Sequence, residues 1–168
     1  MSSDGTVRTT DDGSRELRFE RFFDHPVERV WAAITEPDQM VGWWAEGELD
    51  LRLGGRVVLR WLNSDDDGNQ AVLHGAITEI DAPRVFEIEG EPHGVLRFDL
   101  CPEDDCTHLI FTNVVPAPDE VVPMALAGWH IHLDHLAEAL AGTPVDWERW
   151  DEQHRPAWGE LHERYAAG

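Results

Sequence analysis

Three histidines, His130, His132 and His135, stand close together around Trp129. Imidazole titrates near neutral pH and ligates metals, so such a group can move protons or hold an ion. At about 100° per residue of helix, His135 falls away from the apolar stripe and is expected in solvent. His130 and His132 flank the stripe on opposite sides, and His130, beside Trp129, is expected at the rim of any cavity beneath. The spacing of His132 and His135 would suit a metal, but a solvated helix face accounts for it, and no metal site is assigned. Asn113 is a polar residue on an otherwise apolar strand face. A buried amide needs partners: a ligand's polar group, or a neighbour such as Trp129 or His130. Cys101 and Cys106 flank a turn and would face each other across a hairpin, but free thiols are the expected state in a reducing compartment. With His93 and His108 they match no strong zinc spacing. Asp65-Asp66-Asp67-Gly68-Asn69 lacks the downstream Glu of a calcium loop and reads as a solvated turn. No nucleophile elbow, paired carboxylates or phosphate-cradling glycine loop occurs, so no catalytic residue and no cofactor is assigned.

The elements that must position these residues follow from periodicity. Leu126, Trp129, Leu133, Leu136 and Leu140 recur at spacings of three and four, one face of a long helix from about 119 to 141. Gly142-Thr143-Pro144 stops it. Before it, Arg15 to Asp24 reads as a strand, and short helices are predicted over 26–35 and 37–44. From Gly47 the period changes to two. Leu49, Leu51 and Leu53 precede a Gly54-Gly55 turn, and Val57, Leu59 and Trp61 return along the same face. Further strands are expected around Leu73 and Ile77, over 84–89, over 95–101, and over 107–115, where Leu109, Phe111 and Asn113 share a face. Short connections make the sheet antiparallel, and the long helix is its cover. A second helical segment, 146–166, carries Trp147, Trp150 and Trp158, and Pro156 should break it.

The chain has 168 residues and a formal net charge of −21; all 13 basic residues are Arg. That length suits one domain with a sizeable core. Such acidity repels phosphate backbones, so neither nucleic acid nor an anionic membrane is an expected partner. No apolar run reaches the roughly 18 residues of a transmembrane helix. Residues 1–14 are polar and carry no apolar signal region, so they are expected as a disordered tail of a cytoplasmic protein.

Several local sequences, in order, resemble the START-like (SRPBCC, helix-grip) superfamily, and within it the branch named after the C-terminal domain of the heat-shock protein 90 ATPase activator. They are Asp24-His25-Pro26-Val27-Glu28-Arg29-Val30-Trp31, Thr35-Glu36-Pro37-Asp38 leading to Trp43-Trp44, Asp50-Leu51-Arg52-Leu53-Gly54-Gly55-Arg56-Val57, Gly75 to Arg84, Thr107-His108-Leu109, and Gly128-Trp129 to Leu140. The resemblance spans about residues 15–142. It implies an α+β helix-grip fold, similar to the birch-pollen allergen, with a curved antiparallel sheet of 6–7 strands, two short helices after the first strand and one long helix over the sheet. Residues 143–168 would be a helical tail, packed on the domain or at a homodimer contact. The resemblance also implies a cavity between sheet and helix, of the kind used across the superfamily for lipids, sterols and polyketides. After Thr112 the chain departs from the pattern: many relatives carry His where this one has Asn113, and an amide cannot titrate.

The expected cavity residues are Met40, Trp44, Leu51, Leu59, Trp61, Leu73, Phe98, Phe111, Asn113, Trp129, His130 and Leu133. The function these imply is non-catalytic binding of a small apolar or amphipathic molecule, with Trp129 and Phe111 as stacking area and Asn113 as polar anchor. Two alternatives stand beside it. One is a polyketide cyclase-like or aromatase-like enzyme using His130 and Asn113. The other is a protein-interaction module, chaperone-associated or paired with an ArsR-type repressor, whose acidic surface suits a basic partner.

Overall fold

The protein is described by a computed structural model covering residues 3–65 and 67–168. Strands β1 (Thr6–Thr9) and β2 (Arg15–Phe23) lead into helices α1 (Val27–Thr35) and α2 (Pro37–Met40). Then follow β3 (Ala45–Leu49), β4 (Arg56–Trp61), β5 (Val72–Asp81), β6 (Val85–Glu91), β7 (Gly94–Glu103) and β8 (Cys106–Val115). Helix α3 (Val122–Leu140) follows, and a 3-10 turn at Trp147–Arg149, α4 (Trp150–Gln153) and α5 (Arg155–Ala167) complete the described chain. The described strands form one antiparallel sheet in the order β1-β2-β8-β7-β6-β5-β4-β3. This is the expected helix-grip architecture with eight strands rather than six or seven. No helix among the described residues is long and apolar enough to cross a membrane.

The extra strand comes from the segment expected to be disordered. Residues 6–9 pair with Arg15–Arg18 across a turn closed by hydrogen bonds of Thr10 with Ser14 and Asp12. The backbone there is held by ladder bonds, so polar composition did not prevent order; Met1 and Ser2 lie outside the described residues.

Alternation in the strands sends one set of side chains under α3. Leu17 and Phe19 of β2, Leu59 of β4, Leu73 of β5, Phe86 of β6, Phe98 of β7 and Phe111 of β8 are all buried there. From above, α3 contributes Trp129, Leu133, Leu136 and Leu140, and α1 adds Val30 and Ile34. Pro26, lacking an N–H, caps α1, and Trp43 donates its indole N–H to the Ala33 carbonyl at 2.8 Å.

The hairpin between β3 and β4 departs from expectation. β3 ends at Leu49, and residues 50–55 form a wider turn closed by Asp50 N–H to Arg56 O. Leu51 and Leu53 therefore lie on the turn, 46% and 70% exposed, rather than on the inward face.

The outer side of α3 is covered as well. The tail folds back, tied by Val145 N–H to Gly42 O and by the Trp147 indole to Val41 O at 2.6 Å. Ile131, His132 and His135 are buried there. Trp150, 2% exposed, donates its indole N–H to His135 Nε2 at 3.0 Å. The expectation of a solvated His135 is thus overturned: a single apolar stripe describes a helix with one covered face, and α3 has two. Pro156 acts as expected, at the first turn of α5 after the break at His154.

Candidate functional site

The centre of the grip is filled. Met40, Trp44, Leu59, Leu73, Phe98, Phe111 and Leu133 show no exposed surface and form the packed core. Leu51 stands on the exposed β3–β4 turn. His130 points away from the open space: its Nδ1 meets the Tyr165 hydroxyl at 2.8 Å and its Nε2 lies 3.5 Å from Asp134. Neither Leu51 nor His130 lines a cavity, because one sits beyond the end of its strand and the other on the tail-facing side of α3.

Open space survives at one end of the sheet. A cavity of about 720 Å³ lies between the N-terminal half of α3, the loop joining β4 to β5, the β6–β7 turn and the tail. Of the expected residues, Trp61, Asn113 and Trp129 line it. His93, Asn63, Trp150, Trp158 and Arg155 line it too. Periodicity could not have added them, because they come from a turn, a loop and the tail rather than from the patterned face. His132, flanking the Trp129 stripe, lines it as well and did carry a visible signal.

The walls are aromatic. Trp61 stacks on His93 with centroids 4.3 Å apart and rings 3° from parallel, and meets Trp129 edge-on at 6.1 Å. The β6–β7 turn that carries His93 depends on Gly94. Its φ is +75°, and a Cβ there would sit 2.1 Å from the Val114 carbonyl oxygen, so only glycine fits.

Asn113 fastens this wall from below. Its Nδ2 donates to the carbonyls of His93 at 2.7 Å and Val95 at 3.0 Å, and its Oδ1 accepts the Trp129 indole N–H at 3.2 Å. The amide thus bonds to a neighbour, Trp129, and orients both the tryptophan and the His93 turn. Arg155 closes the rim, donating to the Ser64 carbonyl at 2.8 Å, pairing with Asp151 and lying over the Trp150 ring at 5.2 Å.

Other polar atoms at the cavity are unsatisfied. Asn63 Oδ1, His93 Nδ1 and His132 Nε2 are buried and have no hydrogen-bond partner, and all three residues line the space. Against the Gly128 carbonyl, 2.7 Å away, His132 Nδ1 must be the donor, so a neutral ring leaves Nε2 as a bare acceptor. Burial pushes the His93 pKa down to about 4, and it pushes that of His132 down to about 4 against the opposing Gly128 bond. Both rings are therefore neutral at neutral pH.

The cysteine expectations resolve simply. Both thiols are free. The β7–β8 turn is Asp104-Asp105, tighter than expected, so Cys101 faces His108 and Cys106 faces Glu103 rather than each other. His93, at the opposite end of β7, takes no part. Of the acidic loop 65–69, Asp66 lies outside the described residues, and Asp65 caps the turn by accepting from Asp67 and Asn69 N–H.

Comparisons with solved structures agree with the architecture. CalU16 from Micromonospora echinospora is 25% identical, with a TM-score of 0.74 over 99% of this chain and 98% of that one. The protein encoded by gene BPP1335 from Bordetella parapertussis is 26% identical, with a TM-score of 0.69 over 99% of this chain and 94% of that one. DynU16, a putative protein in the dynemicin biosynthetic locus, shares the fold at 20% identity and a TM-score of 0.64, over 77% of this chain and 48% of that one. No curated protein matches the sequence. The match to CalU16 covers 99% of this chain and so includes the tail as well as the grip. The family model described as "Activator of Hsp90 ATPase homolog 1-like protein" matches residues 24–141, and the chain belongs to that family.

Proposed function

We propose that the protein binds a small amphipathic molecule, an aromatic or alicyclic body bearing hydroxyl or N–H donors, in the cavity at the end of the sheet. The observation that carries this reading is the pairing of aromatic walls with three buried, unpartnered polar atoms, Asn63 Oδ1, His93 Nδ1 and His132 Nε2. A buried polar atom without a partner costs about 1–3 kcal/mol, and a ligand donor would remove that cost. The volume of about 720 Å³ suits a molecule of a few fused rings. Binding is favoured over acid–base catalysis because Asn113 cannot titrate and spends its amide on holding Trp129 and the His93 turn.

The probe pair 2-naphthol and naphthalene tests this reading. Saturable shifts of tryptophan indole N–H resonances are expected, with 2-naphthol bound about fivefold tighter, the equivalent of one hydrogen bond. His132→Leu should remove most of that preference while leaving naphthalene binding. Equal affinity for the two probes, or no saturable shift with either, would overturn the proposal.

A further inference from the structure

A second group of side chains lies under the tail. One ring nitrogen of His135, a carboxylate oxygen of Glu138 and one ring nitrogen of His154 lie within 4.8 Å of one another. His135 and Glu138 are three residues apart on α3 and so share a face. His154 comes from the break between α4 and α5 that Pro156 enforces, its ring 4.6 Å from that of His135, centroid to centroid. The second observation is on His135 itself. The residue is 1% exposed, its Nε2 accepts from Trp150, and its Nδ1 has no partner. No other role described for the protein uses that nitrogen.

We propose that His135, Glu138 and His154 form a binding site for a divalent transition-metal ion of the zinc class, clamping the tail onto α3. Two imidazoles and a carboxylate are a donor set that such ions take, with the fourth position left to water. Metal–ligand bonds of about 2.0–2.2 Å put tetrahedral ligand atoms roughly 3.4 Å apart. Contraction to that spacing draws on Glu138, which is exposed, and His154, which is half-buried, and on a change at His135 itself. Coordination through Nδ1 requires the His135 proton to sit on Nε2. The Trp150 indole N–H then loses its acceptor and must turn away. Three metal–ligand bonds form as the hydrated ion releases the waters they replace, the fourth position keeping one water, and the ion keeps its oxidation state. The site shares Trp150 with the cavity wall but needs no ligand in the cavity.

Calorimetric titration of the untagged, chelator-treated full chain with Zn²⁺ should show one ion per chain and raise the melting temperature. Co²⁺ should give the visible absorption of a four-coordinate site, and the Trp150 indole resonance should move. His154→Ala and Glu138→Gln should each weaken Zn²⁺ binding at least tenfold. Because neither side chain is buried, both variants should melt like the parent without metal. Absence of saturable one-to-one binding overturns the proposal, as does full parental affinity in either variant.

Discussion

Asn113 joins three pieces of the cavity, and the strength of that joint can be measured by a double-mutant cycle. Asn113→Leu keeps the volume of the side chain but strands the Trp129 indole N–H and takes donors from the carbonyls of His93 and Val95. The indole is buried and Asn113 is its hydrogen-bond acceptor, so it bears the full cost. The bonds to the His93 and Val95 carbonyls are only part-buried, so their loss costs less. At about 1–3 kcal/mol for each buried group left unmet, the single substitution should cost roughly 2–4 kcal/mol. Trp129→Phe removes the same hydrogen bond from the other side, stranding Asn113 Oδ1, and loses ring contacts with Phe111 at 4.4 Å and Trp44 at 6.0 Å. It should cost about 2–3 kcal/mol. In the double variant the indole N–H and the amide oxygen are both gone, so the losses should fall short of additive by about 1–2 kcal/mol. Urea unfolding at neutral pH with unchanged slopes gives all three numbers. Additivity within about 0.5 kcal/mol would refute the assignment of Asn113 as the group that orients Trp129.

Other predictions concern the shell around the site. Burial, reinforced by Arg21 and Arg164, pushes the His130 pKa down to about 4. With an unfolded pKa near 6.5, the unfolded chain takes the proton first, so stability is fully present above about pH 6.5 and falls toward pH 4 by up to about 1.4 kcal/mol per pH unit. His130→Gln should make the dependence of the urea midpoint on pH shallower in that window by its own share, leaving that of His93 and His132; an unchanged slope would show that His130 contributes nothing to it. Trp150→Ala empties a 2%-exposed position and should cost about 3–5 kcal/mol, with faster hydrogen exchange concentrated in α5, whereas protection lost evenly across the sheet would contradict a local seam. Cys106 donates its thiol to Asp24 at 3.3 Å, which, with burial and nearby carboxylates, pushes its pKa up. Asp24→Asn should therefore speed labelling of Cys106 by a thiol reagent at pH 8, and an unchanged rate would show that the bond does not control its reactivity.

How much of each element is legible in the sequence depends on how many surfaces cover it. The sheet has one covered face, so alternation placed Leu59, Leu73, Phe98 and Phe111 inward, and all are buried. Leu51 obeyed the same alternation but lies past the last ladder bond of β3, where the period loses its meaning. Helix α3 has two covered faces. Its stripe located Trp129 and Leu133, yet nothing in a 3.6-residue period announces that Trp147 and Trp150 will return to cover His132 and His135. The cavity was harder still. A strand pattern says which side chains point inward, not whether they fill the space between them, and here seven of the expected lining residues fill it completely.

The tail explains why the open space and the candidate metal ligands occur together. Leu133, Leu136 and Leu140 of α3 already belong to the core cluster, against which Tyr165 of the tail also packs. The rest of the tail serves two other ends. Trp150 and Trp158, with Arg155 bound to the Ser64 carbonyl, turn a groove at the edge of the core into a walled cavity. The same turn of chain brings His154 against His135 and Glu138. Trp150 belongs to both, as a cavity wall on one side and the hydrogen-bond donor to His135 on the other. An ion that draws His135 Nδ1 into coordination must release that indole, and a ligand that packs against the indole must hold it in place. The two events therefore compete for one side chain, and by linkage each lowers the affinity of the other by the same factor.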